Sequence, residues 1–345
     1  MPHQLRPASP RHPRTLTAMD PAFAPRLLDD RIRARLAEVA DLVPGIVADD
    51  FARPEVAEAL AETEVLFTFW GCPVLDERVL AAAPRLRAVI HAAGSVKWFA
   101  TDACWDRGIV FSSAAVANCQ PVAEYTVAMV LLSNKRVLDM QREFRLLRDH
   151  PSAYHHRYPR AGNYRRTVGL VGASRVGRRV IELLRPYELE IVVHDPYLGD
   201  AEAAVLGVRR TGLDELCSLS DVVSVHAPEL PETRHMIDAR LLGLMRDGAT
   251  LINTARGSLV DQDALVEELV TGRLHAVVDV TEPAHLPADS PLYNLPNVLL
   301  TPHIAGSVGN ELHRMADSAV DELTRYAEGL PLAHPVLREQ LDRTA

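Results

Sequence analysis

The feature that most constrains the fold is an apolar strand that runs directly into a glycine-punctuated turn and a helix. Residues 167–184 read TVGLVGASRVGRRVIELL, with Gly172, Ser174 and Gly177 at the positions of a GxGxxG pattern. A tight turn there directs free backbone N–H groups and the positive end of the helix dipole at an anionic pyrophosphate. The pattern predicts a dinucleotide-binding βα unit. Because the second position normally lets the backbone approach the phosphate closely, Ser174 weakens the motif when it is taken alone.

The strand that follows, LEIVVHDP, ends in Asp195, about twenty residues after the turn. A carboxylate at this place accepts hydrogen bonds from the adenosine ribose hydroxyls and repels a 2′-phosphate. The next residues, Pro196, Tyr197 and Leu198, include no arginine that would hold such a phosphate. The order of strand, turn, helix and acid therefore favours NAD over NADP. A glycine turn and a capping aspartate in an α/β domain without a ligand is the less favoured interpretation.

Length and charge narrow the class of protein. A chain of 345 residues exceeds one ordinary core and predicts two domains. The formal net charge of −9 argues against nucleic acid or an anionic membrane as the main partner, although it allows a local basic pocket. No uninterrupted apolar run reaches the length of a membrane helix, and no apolar segment follows the basic N-terminal residues. We therefore expect neither membrane insertion nor export.

The cysteines and the N-terminal segment carry no signal for a metal site or a folded element. The four cysteines lie far apart with no CxxC or Cys/His spacing, so buried free thiols in a reducing cytoplasm are the simplest interpretation. Residues 1–18 are rich in proline and arginine and poor in large apolar side chains. They are predicted to form a disordered tail, with Met19 as a candidate start.

Strands and helices alternate along the rest of the chain. From Val65 the pattern predicts strands in VLFTFW, LRAVIHAAG and GIVFSSA separated by helices, and then one long helix over residues 122–146. A second series of strands is predicted near residues 167–171, 190–194, 222–226, 249–253, 275–279 and 297–300. This alternation predicts an α/β protein with two doubly wound parallel sheets.

Four further motifs each end a predicted strand, where open α/β sheets bind ligands. They are HAP at residues 226–228, NTARG at 253–257, VVDVTEP at 277–283 and LTPHIAG at 300–306. With these motifs in order, the sequence resembles the D-isomer-specific 2-hydroxyacid dehydrogenase family over roughly residues 65–330. The segments GRLHAVVDVTEP and DSPLYNLPNVLLTPHIAG resemble the glyoxylate and hydroxypyruvate reductase branch in particular.

The resemblance implies an architecture and an activity. A Rossmann NAD-binding domain of residues 134–306 is expected to be inserted into a flavodoxin-like substrate domain of residues 19–133 and 307–345, with the active site in the cleft. The implied activity is hydride transfer between NAD(H) and a small 2-oxo or 2-hydroxy acid, in a cytoplasmic homodimer. A phosphoglycerate dehydrogenase is less favoured, because only a short segment follows the TPH motif.

The resemblance also implies roles for individual residues. Arg256 would hold the carboxylate and carbonyl of a 2-oxo acid with its planar, permanently charged fork. His303 would donate a proton to the carbonyl oxygen and take it back in oxidation. Asp279 would orient the nicotinamide carboxamide. The other positions that match the family's cofactor lining are Arg175, Val176, Ala227, Pro228, Thr254 and Ala255, and the matching substrate loop consists of Gly94, Ser95 and Val96. Without the family, a strand-end histidine and a surface arginine would be the simpler interpretation.

One departure concerns the partner of the histidine. The family carries a glutamate five residues after the aspartate of the DV motif, paired with the catalytic histidine, and this chain has Ala284 there. Glu282 is the candidate substitute, although Pro283 stiffens the segment between Glu282 and Ala284. Loss of the carboxylate predicts weak or altered activity. The alternative function is therefore an NAD(H)-responsive binding or regulatory protein.

A second departure concerns the substrate loop. Lys97 stands where the family's GxGxD loop has an aspartate. A cation at this position could meet a second anionic group of the substrate, such as a distal carboxylate or a phosphate, which makes Lys97 a candidate substrate-binding residue. A solvated side chain at the edge of the loop is the simpler interpretation.

Overall fold

The computed structural model describes residues 11–341, which fold into two compact units. The first unit consists of the described residues up to Asn118 together with those from Ser307 onward, and the second unit is Cys119–Gly306. The strands are β1 (Arg14–Ala18), β2 (Asp41–Ala48), β3 (Val65–Thr68), β4 (Ala88–His91), β5 (Val110–Ser113), β6 (Thr167–Val171), β7 (Glu190–His194), β8 (Arg209–Arg210), β9 (Val222–Val225), β10 (Thr250–Asn253), β11 (His275–Val278) and β12 (Val298–Leu300).

Helices follow most of these strands. They are α1 (Ala24–Leu27), α2 (Asp30–Val39), α3 (Pro54–Glu62), α4 (Glu77–Ala82), α5 (Asp102–Asp106), α6 (Ala115–Lys135), α7 (Val137–Leu147), α8 (Ser152–Arg157), α9 (Arg175–Leu184), α10 (Asp200–Leu206), α11 (Leu213–Leu219), α12 (Ala239–Leu244), α13 (Gln262–Val270), α14 (Leu312–Ala327) and α15 (Arg338–Leu341).

The first unit is a five-stranded parallel sheet in the order β2-β1-β3-β4-β5. This is the flavodoxin-like strand order. Two apolar clusters cover the sheet: one contains Ile32 and Leu36 of α2 with Met315 of α14, and the other contains Val56 and Leu60 of α3. Because each face of the sheet needs an apolar cover, helices pack on both faces, as the doubly wound prediction requires.

The second unit is a seven-stranded parallel sheet in the order β12-β11-β10-β9-β6-β7-β8. Strands β6 and β9 are neighbours although they are not consecutive in the chain, so the strand order reverses between them. A crevice opens outside the carboxyl ends of the strands at such a switch point, and the glycine turn follows β6 there. The predicted fold class of two doubly wound parallel sheets is confirmed.

The predicted disordered tail is wrong for its last residues. Residues 1–10 lie outside the described part of the chain, but residues 14–18 form β1, which lies between β2 and β3 and is hydrogen-bonded to both. Leu16 and Ala18 are completely buried. Five residues with only two apolar side chains give too weak a periodic signal, and pairing on both edges is what stabilises the strand.

The predicted single helix over residues 122–146 is two helices. Helix α6 begins earlier, at Ala115, and α7 begins after Arg136, whose φ of 57° places it in the left-handed region. The Arg136 guanidinium contacts the Gly248 carbonyl oxygen at 3.2 Å and Asp139 at 2.9 Å. The contact with Gly248 depends on tertiary structure, so the apolar spacing of the sequence could not reveal the break.

Helix α6 also contains the boundary between the two units, after Asn118 rather than between residues 133 and 134. Its side chains Ala123, Val127 and Val130 pack in the apolar cluster that contains Val168 of β6, which assigns most of the helix to the second unit. Within residues 11–341 it is also the one helix whose length and composition would allow it to cross a membrane. Burial of these side chains in the second unit is typical of a core helix.

We predict that Leu16→Ala lowers the free energy of unfolding by about 3 kcal/mol, because it removes a completely buried side chain from β1 and leaves a cavity. Urea unfolding followed by circular dichroism measures the change. Leu330→Ala is the matched control, since Leu330 is 47% exposed. Equal stability of the two variants would contradict a central place for β1.

Candidate active site

The glycine turn after β6 has no room for side chains. Gly172 has φ 104°, and a Cβ on it would lie 2.8 Å from the backbone nitrogen of Ala227. A Cβ on Gly177 would lie 2.2 Å from the Gly172 carbonyl oxygen. Both distances are far shorter than van der Waals contact, so the turn requires glycine at both positions. The turn thereby packs directly against the HAP segment that follows β9.

Ser174 takes the middle position of the motif without strain. Its φ is −63°, which any residue adopts, and its Oγ accepts a hydrogen bond from the Gly177 N–H at 3.4 Å as the N-cap of α9. Serine is a favoured N-cap residue because it satisfies one of the free N–H groups of the first turn. Arg175 and Val176 are the first residues of α9. The serine therefore supports the helix start that the motif needs.

Asp195 lies directly after β7, beside the glycine turn. One carboxylate oxygen accepts a hydrogen bond from the Ala173 N–H at 2.7 Å, and the other accepts one from the Tyr197 N–H at 2.8 Å. A carboxylate oxygen has two lone pairs, so acceptor capacity remains for the hydroxyls of a ribose. The close-packed glycines, the capped helix and this partly exposed acid fit an NAD molecule.

His226 of the HAP segment is a buried residue beneath the turn. Its Nε2 lies 3.0 Å from the Ser224 hydroxyl, and its backbone N–H donates to the Val171 carbonyl oxygen. Burial lowers the pKa of the His226 imidazole to about 4, because a buried imidazolium loses its hydration. His226 is therefore neutral at pH 7 and acts in packing, while Ala227 and Pro228 continue toward the site.

The loop after β10 is fixed by the side chain of Asn253. Its Nδ2 donates to the Arg256 carbonyl oxygen at 2.8 Å, and its Oδ1 accepts from the Ala255 N–H at 3.1 Å. Thr254 is buried, with its hydroxyl 3.2 Å from that of Thr126. A Cβ on Gly257 would lie 2.2 Å from the Thr281 carbonyl carbon, so the loop after β11 packs tightly against this one.

The Arg256 guanidinium is held on one side and open on another. Its Nη1 donates to the Ala255 carbonyl oxygen at 2.7 Å, and its Nε lies 4.0 Å from a carboxylate oxygen of Glu229. Burial lowers the pKa of Arg256, and the Glu229 carboxylate opposes that shift. Since guanidinium stays protonated in proteins, Arg256 presents a fixed positive charge at the edge of the sheet.

Asp279 ties the end of β11 to the loop after β12. Its carboxylate is buried and accepts three hydrogen bonds: from the Thr301 hydroxyl at 2.6 Å and from the Ile304 and Ala305 N–H groups, both at 2.9 Å. The Tyr125 hydroxyl lies 2.9 Å from the Thr301 hydroxyl and extends the network. Tyr125 carried no predicted role, because its half-buried position on α6 is not recognisable from spacing alone.

His303 lies in the loop that Asp279 fixes. Its backbone N–H donates to the Asp279 carbonyl oxygen at 2.9 Å, and its φ of 55° is a left-handed conformation that a histidine adopts only when the surroundings impose it. The side chain is exposed. Within residues 11–341 no hydrogen bond or ion pair holds the imidazole ring. The loop thus fixes the backbone position of His303, whereas no side-chain partner fixes the orientation of its imidazole ring.

Glu282, the candidate substitute for the missing glutamate, forms ion pairs with other residues. Its carboxylate lies 2.7 Å from Arg234 and 3.6 Å from His235. The hydrogen bond from Arg234 lowers the pKa of the Glu282 carboxyl group. The expectation that Glu282 reaches His303 disagrees with these contacts, because approach to the histidine would require breaking the ion pair with Arg234.

In the first unit, the predicted substrate loop follows β4. Gly94 and Ser95 are partly exposed and Lys97 is exposed, whereas the side chain of Val96 packs in the apolar core. The Lys97 N–H donates to the Ser95 hydroxyl at 3.4 Å.

His91, a buried residue at the end of β4, carried no predicted role. Its Nδ1 lies 2.8 Å from the Thr68 hydroxyl of β3. Burial lowers the pKa of the His91 imidazole to about 3.

Comparison with known proteins agrees with the motifs. Residues 127–305 match the model of the D-isomer specific 2-hydroxyacid dehydrogenase NAD binding domain. The D-3-phosphoglycerate dehydrogenase of Mycobacterium tuberculosis is 32% identical over 305 residues, which are 87% of this chain and 56% of that protein. The glyoxylate reductase of Thermofilum pendens is 33% identical over 259 residues, 74% of this chain and 76% of that protein.

A solved structure gives the same fold. The TT0316 protein from Thermus thermophilus superimposes with a TM-score of 0.73 at 29% identity, covering 94% of this chain and 100% of that one. The chain spans about half the length of the phosphoglycerate dehydrogenases that it matches. The match to the NAD-binding domain confirms the predicted cofactor.

We predict that Gly177→Ala raises the dissociation constant of NADH about tenfold or more, a loss of about 1.4 kcal/mol. The new methyl group would displace the Gly172 carbonyl oxygen and with it the glycine turn. Quenching of tryptophan fluorescence by NADH gives the affinity, and near-ultraviolet circular dichroism checks the fold. Gly243→Ala is the matched control, because a Cβ there meets nothing within 4 Å. Unchanged affinity in Gly177→Ala would place NADH away from the turn.

Proposed function

The chain belongs to the D-isomer-specific 2-hydroxyacid dehydrogenase family, and from that premise we propose that it is an NAD-dependent oxidoreductase acting on a small 2-oxo or 2-hydroxy acid. The observation that carries the proposal is the placement of Arg256 and His303. They follow β10 and β12, which flank β11 in the same parallel sheet as β6 and its glycine turn. Carboxyl ends of parallel strands meet at one edge, where such folds bind their ligands.

The proposed chemistry divides between cofactor and chain. NAD, when bound, supplies or accepts the hydride. Arg256 holds the substrate carboxylate through paired hydrogen bonds. His303 delivers a proton to the carbonyl oxygen in reduction and removes it in oxidation. Asp279 holds the loop that carries His303, and its remaining lone pair is assigned to the nicotinamide carboxamide.

We assign the remaining roles by position. Asp195 accepts hydrogen bonds from the adenosine ribose, and the turn with Arg175, Val176, Ala227, Pro228, Thr254 and Ala255 lines the cofactor. The second unit is then the NAD-binding domain and the first the substrate domain. In the first unit Gly94, Ser95 and the backbone of Val96 are assigned to the substrate, with Lys97 at the edge of the same loop. Glyoxylate and hydroxypyruvate are the substrates we favour, because the glyoxylate reductase relative matches most of both chains.

The absent glutamate bears on rate rather than on the class of reaction. The described surroundings of His303 provide no side-chain partner for its ring, and Ala284 occupies the position at which the family carries one. A positioned carboxylate both orients an imidazole and stabilises its protonated form. We therefore expect turnover to be slow, with the binding of cofactor and of the substrate carboxylate retained.

We predict that the wild-type protein oxidises NADH with glyoxylate or hydroxypyruvate, measured by absorbance, and that Ala284→Glu raises kcat about tenfold. Arg256→Lys should lower kcat/KM about a hundredfold, since lysine cannot form the two parallel bonds of a guanidinium. Ala201→Glu, an exposed site on α10, is the control for the added charge. Failure of both wild type and Ala284→Glu to turn over any of a wide range of 2-oxo acids would refute the enzymatic proposal.

We also propose that the chain forms a homodimer through the second unit. Helix α7 exposes apolar side chains on one face, and an exposed apolar patch of this kind marks an interaction site. These side chains are Val137, Phe144 and Leu147, which lie on the same side of the helix.

Sedimentation equilibrium is predicted to give the mass of a dimer, and Leu147→Glu to give that of a monomer, because the substitution places a charge on the patch. Leu147 is 53% exposed. Val205→Glu on α10, at a residue 80% exposed, should leave the dimer intact. A wild-type monomer at micromolar concentration would contradict the proposal.

A further inference from the structure

Glu229 places a negative charge beside the arginine of the site. It follows the HAP segment after β9, and one of its carboxylate oxygens lies 4.0 Å from the Arg256 Nε. The other oxygen accepts a short hydrogen bond from the Ser258 hydroxyl. Ser258 is buried, on the same loop as Arg256. The carboxylate is therefore held near the guanidinium by a second contact, although its side chain remains 50% exposed.

An acid in this place opposes the binding of anions. One N–H group of Arg256 donates to the Ala255 carbonyl oxygen, and the positive charge of the guanidinium attracts the Glu229 carboxylate. A substrate carboxylate that approaches the guanidinium meets the repulsion of Glu229, and a second anionic group on the substrate meets more of it. At separations of several ångströms near a protein surface, each such pair of charges costs on the order of a tenfold change in affinity.

The neighbouring cations do not cancel this charge. The Arg234 guanidinium interacts electrostatically with the Glu229 carboxylate, but it is paired at 2.7 Å with Glu282. His235 lies 3.6 Å from the same Glu282 carboxylate. Because Arg234 is paired with Glu282, the remaining charges at the carboxyl ends of β9 and β10 are those of Arg256 and Glu229.

We propose that Glu229 is a specificity-determining residue that restricts the site to 2-oxo acids whose only negative charge is the carboxylate next to the carbonyl. The inference rests on the proposed role of Arg256 and narrows its substrate class. A glyoxylate ion fits this class, whereas a substrate that also carries a phosphate or a second carboxylate does not. Among the two kinds of named relatives, the class corresponds to the substrate of the glyoxylate reductases.

Oxamate and oxalate make a matched pair of probes, because they have nearly the same shape but carry one and two negative charges at pH 7.5. Isothermal titration calorimetry at saturating NADH gives both dissociation constants for wild type, Glu229→Gln and the control Glu232→Gln. Glutamine keeps an acceptor for Ser258, and Glu232 is an exposed acid three residues further along the same segment. We expect wild type to prefer oxamate. Glu229→Gln should shift the affinity ratio toward oxalate about tenfold, and Glu232→Gln should leave it unchanged.

Other results would overturn the proposal. If Glu229→Gln changes both affinities by the same factor, or weakens both, the carboxylate only supports Arg256 and does not select substrates. If neither probe binds any of the proteins, Arg256 is not an anion site and the inference fails with it. Turnover separates this inference from the proposed function: a shifted ratio with no oxidation of NADH by any 2-oxo acid refutes the activity but leaves the charge selection in place.

Discussion

The site of the second unit depends on the hydrogen bonds that the buried Asp279 carboxylate accepts. Parallel pairing brings the ends of β10, β11 and β12 to one edge, but it leaves the loops beyond them free to move apart. Three hydrogen bonds to Asp279 and one to its own carbonyl oxygen fix residues 301–305 to the end of β11. The left-handed backbone of His303 is sustained by this set of bonds, since an isolated histidine would relax out of it.

The glycine turn depends on the close approach of backbone atoms. Gly172 and Gly177 allow the backbone of the turn to contact the HAP segment and its own carbonyl oxygen, and no larger residue fits either place. Ser174 fits because its position demands a helix cap and not an unusual backbone angle. The sequence pattern identified which residues form the turn, and the structure explains why one of three glycines could be replaced.

Elements with strong local signals were predictable. Six of the seven strands of the second unit lie within about two residues of their predicted positions, whereas the short exposed β8 and, in the first unit, β2 carried no prediction. β1 was missed because its stability comes from pairing with β2 and β3. The break at Arg136 and the Tyr125 hydroxyl bond to Thr301 were missed for the same reason, since both depend on partners far away in the chain.

The position of carboxylates relative to Arg256 and His303 is the part of the site that the sequence alone could not give. Sequence showed that the acid expected beside His303 is absent, and it suggested Glu282 as a replacement. The structure pairs Glu282 with Arg234 and sets Glu229 beside Arg256 instead. An acid next to a histidine assists proton transfer, whereas an acid next to a substrate-binding arginine weakens anion binding and changes which anions bind. The proposed slow turnover and the proposed restriction on substrate charge therefore rest on the same redistribution of carboxylates around one sheet edge.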